Sequence, residues 1–219
     1  MNYSIKELSN ISGINKITLR SWEDRYGFLV AKRTATKIRK YSSEQLLCAI
    51  HTAALISCGL RISKISKMSC SEISSLVDAK FHNKGNINKD IYISRILTSA
   101  VLNNRDMFDS TIYKGFVELG LISFYQDVMY VALQKIGLIW TVNSKEPNHE
   151  SFVFGLLQEK INDITEEIIN NKFSKDIWLL FIMSPYIFLD RDDGHFVSLN
   201  NTIKMVAEAA FPHQKDLAS

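Results

Sequence analysis

The sequence predicts a mainly α protein with a winged helix-turn-helix head, a four-helix bundle behind it and a partial β-α unit at its C-terminus. Three observations carry that prediction. Residues 3–41 hold two capped helical patterns followed by a basic stretch. Residues 91–171 repeat apolar side chains at helical spacing, broken by short polar connections. Residues 177–183 are an unbroken apolar run that Pro185 ends, the pattern of a strand buried on both faces.

In the head, Ser4 with Glu7 three residues on forms a capping box, so a helix should begin there with Ile5, Leu8 and Ile11 on its apolar side. Gly13 punctuates a turn, and Asn15 can cap a second helix. Leu19, Trp22 and Tyr26 recur on one side of that helix and should pack inward, and Gly27 ends it. Lys16 and Arg20, four apart, share a different face and can point together at a phosphate or a base edge. Residues 31–41 then carry five basic residues and no acidic one. Ser42 or Ser43 can cap a third helix over 44–57, with Leu46, Leu47, Ile50, Ala53 and Ala54 on one side and Gly59 closing it. Residues 61–68 read as a short fourth helix. Residues 69–90 read as polar, with a linker at about 80–89 around Asn83, Lys84, Gly85 and Asn86.

Composition narrows the function. At 219 residues, 46% hydrophobic and 22% charged, the chain has the make-up of a folded protein rather than a disordered one. Of its 26 Lys/Arg and 23 Asp/Glu, nine and three fall in residues 1–41, so the head is at +6 and the remainder at −3. Positive charge concentrated in one part is the footprint expected of a nucleic-acid binder. No stretch reaches the roughly eighteen apolar residues that span a bilayer, and residues 1–6 lack a signal-peptide pattern. The expectation is a cytoplasmic, nucleoid-associated protein without a membrane partner. Cys48, Cys58 and Cys70 are odd in number and share no metal-ligand spacing, so buried free thiols and no metal site are expected. With no nucleophile-base pairing, phosphate loop or metal cluster, the chain does not read as an enzyme.

The bundle is read from four apolar patterns. Ile93, Ile96, Leu97, Ala100 and Val101 mark one helix, and Met107, Phe108, Ile112, Phe116 and Leu119 a second. Residues 121–142 form a long apolar third, and 152–169 a fourth with Phe152, Leu156, Ile161, Ile164 and Ile168. In the tail, a polar loop at 190–194 precedes a helical pattern of Ile203, Val206, Ala207 and Ala210, the first strand-loop-helix of a doubly wound domain.

The residues Thr18-Leu19-Arg20-x-Trp22-Glu23-x-Arg25-Tyr26-Gly27, then Arg33-Thr34, then Ile38-Arg39-x-Tyr41-Ser42, resemble the MerR family of transcription regulators. The likeness is closest to its cobalamin-binding, light-responsive branch, the CarH/LitR type. It implies a DNA-binding head at 1–75, with Lys16, Thr18 and Arg20 at the groove of double-stranded DNA. Arg25, Tyr26, Arg33, Lys37, Arg39 and Tyr41 complete the implied DNA-binding set, at phosphates or sugars. It further implies a homo-oligomer on a two-part operator, a cobalamin-cap bundle at 90–172 and a truncated or degenerate cobalamin domain at 176–219. Trp140 and Glu150 match the branch's corrin-covering Trp and Glu in spacing, with Ser151 where its His stands, and His195 corresponds to its lower cobalt ligand, with Ser198 in place of a Gly. The resemblance therefore implies a regulator with impaired cobalamin sensing. The alternatives are a working cobalamin-dependent light sensor and a ligand-independent partner of a full-length relative.

Overall fold

The computed structural model describes residues 2–83, 88–142 and 155–156. The chain divides into two compact units, Met1–His149 and Glu150–Ser219, and the elements from Asn2 to Val142 lie in the first. That unit is mainly helical with a small antiparallel sheet.

Local chemistry sets the head. β1 (Asn2–Tyr3) leads into α1 (Ile5–Ser12), closed by the expected box: the Ser4 N–H donates to Glu7 Oε2 at 2.6 Å, and the Glu7 N–H to Ser4 Oγ at 3.3 Å. Gly13 ends α1 at φ +80°, a left-handed conformation that costs a glycine little. Asn15 Oδ1 accepts the Ile17 N–H at 2.9 Å and starts α2 (Lys16–Tyr26). β2 (Lys32–Arg33) and β3 (Arg39–Ser42) form a hairpin, and β1 pairs with the far edge of β3, giving the antiparallel order β1-β3-β2. Tyr3 and Tyr41 face each other in register and are both buried, so the sheet is anchored in the core at that point.

α3 (Ser43–Ser57) starts from Ser42, the earlier of the two candidate caps, through a second capping box with Gln45. The single turn α4 (Ile62–Ile65) and then α5 (Cys70–His82) follow. α5 occupies most of the stretch 69–90 that reads as polar in the sequence. Ser69 and Glu72 make a third capping box, and Ile73, Val77 and Phe81 recur at four-residue intervals and are buried. One apolar residue per turn suffices here because the stripe packs between α3 and α6. The linker expected at 80–89 thus begins inside a helix, and residues 84–87 lie outside the described residues.

α6 (Lys89–Leu102) is the central element. Every residue from Ile91 to Ala100 is buried, because α3, α5, α7 (Arg105–Leu119) and α9 (Tyr130–Val142) all pack on it. Its polar members are matched inside the core. Thr98 Oγ1 donates to Ser94 O at 2.8 Å and lies 2.8 Å from His51 Nε2 on α3. Since the Thr98 proton goes to Ser94, the imidazole is assigned as the donor to Thr98. Arg95 pairs with Asp78 on α5, reaches Thr111 Oγ1 on α7 at 3.3 Å, and stacks its guanidinium 4.0 Å over the Phe81 ring. Lys114 covers the same ring at 4.4 Å and donates to the Phe81 carbonyl, so the last turn of α5 is held by two cations.

The apolar stretch expected as one long helix is helical throughout, as α8 (Leu121–Phe124), a π-helical turn (Tyr125–Met129) and α9 in unbroken succession. Phe124 is fully buried, and its ring sits against Gly115 of α7, 4.9 Å from the ring of Phe116. α9 packs on α1 as well as α6, and Lys135 Nζ lies 3.7 Å from the place a Cβ on Gly13 would occupy. The fourth bundle helix expected at 152–169 and the tail unit expected at 176–219 lie outside the described residues, except that 155–156 are helical. The three cysteines are free; Cys48 is buried as expected, whereas Cys58 and Cys70 are half-buried. Among the described residues no helix is long and apolar enough to cross a membrane.

Two outcomes follow from this packing. A Cβ at Gly115 would overlap the buried Phe124 ring, 2.7 Å from Cζ and nearer still to two other ring atoms. Overpacking of about 1–3 kcal/mol, at the upper end here because the ring cannot swing out, exceeds the helix-propensity gain of about 1 kcal/mol. Gly115→Ala should therefore destabilise the protein by about 1–2 kcal/mol in urea unfolding. The second outcome concerns pH. Burial, opposed by Asp78 and reinforced by Arg95, lowers the His51 imidazole to about 4. A histidine lowered on folding binds its proton more readily when unfolded, so its contribution is whole above about pH 6.5 and is lost as pH falls toward 4. Wild type should lose on the order of 2 kcal/mol between pH 7.5 and 5 through this group, and His51→Gln should flatten that part of the profile.

Candidate nucleic-acid interface

α2 and the β2–β3 hairpin present cations on a jointly fixed frame. Leu19 and Trp22 bury one side of α2, and Trp22 meets Phe28, ring centroids 6.1 Å apart, just past the Gly27 turn. Glu23 is the joint. Its Oε2 accepts from Arg39 Nε at 2.7 Å, and its Oε1 from the Ala31 N–H at 3.4 Å, so one carboxylate holds both the entry strand segment and the return strand of the hairpin. Glu23 raises the Arg39 pKa through that hydrogen bond, against a smaller opposing effect of burial. On the other side, Gln45 Nε2 donates to the Val30 carbonyl at 2.7 Å, which ties the loop to α3.

The hairpin tip closes on itself. The Thr34 N–H donates to Ile38 O at 3.0 Å, the Lys37 N–H to Thr34 O at 2.8 Å, and the Ile38 N–H to Thr34 Oγ1 at 3.1 Å. Lys37 takes φ +61° at this tip. Its side chain is thereby set at the outer end of the hairpin, fully in water.

The residues expected at DNA separate into groups. Lys16 and Arg20 are exposed on α2, Arg25 is exposed with its guanidinium 5.5 Å from the Tyr26 ring centroid, and Arg33 and Lys37 are exposed on the hairpin. Thr18 and Tyr26 are half-buried. Arg39 is half-buried and committed to Glu23, which makes it part of the frame rather than of the outer surface. Tyr41 is placed otherwise than the sequence reading expected: it is 1% exposed, with its hydroxyl enclosed and without a hydrogen-bond partner among the described residues. The alternation along β3 explains this, since Tyr41 takes the inward side of the strand opposite Tyr3.

Two features were missed by sequence reasoning. Tyr26 lines an open cleft with Ser63, Lys64, Ser66 and Lys67, so α4 and the turn after it bring two lysines to the end of α2. The i, i+3 spacing of Lys64 and Lys67 is the available signal in the sequence. The second is apolar: Ile17, Val30 and Ile38 stand exposed in this basic region.

Of the residues implied to touch cobalamin, Glu150 and His195 lie outside the described residues. Trp140 lies on α9 and is 9% exposed.

The joint can be tested on its own. Glu23→Ala removes a charged acceptor from two donors and should cost about 1–2 kcal/mol in urea unfolding, the lower part of the range for hydrogen bonds to charged groups because Arg39 is partly solvated. Glu23→Gln, which keeps an acceptor for Ala31, should cost less. Equal stability of all three proteins would show that water replaces the joint without loss.

No curated protein matches the chain. Residues 3–71, which run from β1 to the second residue of α5 and include α2, the hairpin and α4, match the family model described as MerR HTH family regulatory protein. The match supports a DNA-binding transcription regulator.

Proposed function

We propose that the chain is a sequence-specific DNA-binding transcription regulator that sets α2 in the major groove and uses the β2–β3 hairpin as a wing on the phosphate backbone. The observation that carries this reading is the Glu23 joint: it fixes an α2 bearing Lys16 and Arg20 to a hairpin bearing Arg33 and Lys37. Cations held at set separations match phosphates at set separations, which a flexible basic tail does not. Arg20 has the fork geometry to pair with the O6 and N7 of a guanine, while Lys37 at the wing tip meets phosphate as a point charge. The cleft lined by Tyr26, Lys64 and Lys67 extends the phosphate-binding surface at the C-terminal end of α2.

The proposed complex is a dimer or higher homo-oligomer on paired half-sites, as helix-turn-helix proteins commonly form. The apolar stripe of α5 is not free for pairing, since Ile73, Val77 and Phe81 are already buried within the chain. A pairing surface would therefore lie elsewhere.

The test is titration on a duplex selected from a random pool and on an unselected one. Arg20→Ala should lose about 1–3 kcal/mol of discrimination, seen as weaker binding to the selected duplex alone. Lys37→Ala should weaken both duplexes alike and reduce the salt slope by about one. If both variants weaken both duplexes equally, the division between groove helix and wing is wrong. If wild type selects no duplex, DNA recognition itself is refuted.

A further inference from the structure

We propose that Ile17 is a specificity residue that reads the 5-methyl group of thymine in the major groove. The proposal rests on the placement of α2 in that groove and goes beyond it in naming an apolar contact. Ile17 is 75% exposed in the first turn of α2, between the exposed Lys16 and the half-buried Thr18. With about 100° between successive residues, it lies roughly opposite the Leu19–Trp22–Tyr26 edge on which α2 packs. Arg20 stands about 60° from it on the same outward side, whereas Thr18 turns back toward the core and is half-buried. The residue pointing most directly away from the protein is thus an isoleucine, with a guanidinium beside it.

Single exposed apolar side chains are common and by themselves mean little. Two further features set this one apart. Its backbone N–H is held by Asn15 Oδ1 at 2.9 Å, so the side chain starts from a fixed point in the helix N-terminus. Its β-branch leaves essentially one χ1 rotamer in a helix, so little freedom is lost on contact. N-terminal residues of a groove helix are those that reach base edges, and the apolar group on a major-groove edge is the thymine methyl. An isoleucine there replaces two methyl-water surfaces with one methyl-methyl contact, while Arg20 can read a neighbouring guanine.

The test uses the full chain and duplexes selected from a random library. Each thymine of a selected duplex is replaced in turn by uracil, which pairs identically and lacks the methyl group. Wild type should lose about 3- to 10-fold in affinity at one or two positions per half-site. Ile17→Ala should bind the thymine duplex as weakly as wild type binds the uracil one, and should be indifferent to the replacement at those positions. Ile17→Val, which keeps the branch, should retain the dependence. The proposal is overturned if wild type is indifferent to every replacement, or if Ile17→Ala keeps the same dependence. It is also overturned if Ile17→Ala changes the protein's size in solution and leaves methyl dependence intact, which would make the isoleucine a protein contact. Failure to select any duplex would instead refute the DNA-binding reading beneath it.

Discussion

The arrangement of the basic surface depends on the carboxylate of Glu23. α2 and the hairpin are separate elements joined by a short loop whose Phe28, Leu29 and Ala31 are buried. Trp22 and Phe28 supply one contact at the base. The direction of the hairpin is set by Glu23 taking the Arg39 side chain and the Ala31 N–H together. Because the pair is only partly shielded from water, its value lies less in stability than in angle. A side chain that would otherwise extend the cationic surface is used to aim the others.

Beneath this surface the chain is built around two helices buried on most sides, α3 and α6. Burying a helix all round brings polar residues inside with it, and each must find a partner there. His51, Thr98 and the Ser94 carbonyl form one such chain; Arg95, Asp78 and Thr111 form another. Both cross between elements, α3 to α6 and α5 to α7 through α6. The polar groups therefore add register to a core whose apolar contacts alone would tolerate sliding.

The head was legible in the sequence because its ends are marked by local chemistry. Ser4 with Glu7, Asn15, Gly13 and Gly27 each act within four residues of themselves, so their signals survive without knowledge of the fold. α5 carries the same kind of mark in Ser69 and Glu72 but reads as a polar stretch, because its apolar stripe is one residue wide and becomes sufficient only between two neighbours. Tyr41 and Arg39 sit further inward than their basic stretch suggests, for a related reason. In a basic stretch each reads as an outward residue, yet the strand alternates and a distant Glu23 claims the arginine, which are facts of pairing and not of spacing. Ile17 escaped notice because hydrophobic residues are assigned inward by default. The helix over 121–142 runs through as expected, but periodicity over an apolar run cannot report the π turn inside it.

The contact between α9 and the first turn of the head has one more implication. α1 is packed by its own head on one side and by α9 on another, with Lys135 lying over the Gly13 bend that separates α1 from α2. Burial holds the Lys135 ammonium below its usual range, with Asp90 pulling the other way. The span that matches the family model, residues 3–71, is therefore shorter than the span that packs as one body, residues 1–149. A fragment cut at residue 71 would leave part of α1 without its cover, and any ligand or partner that shifted α9 would act on the bend between α1 and α2 by direct touch.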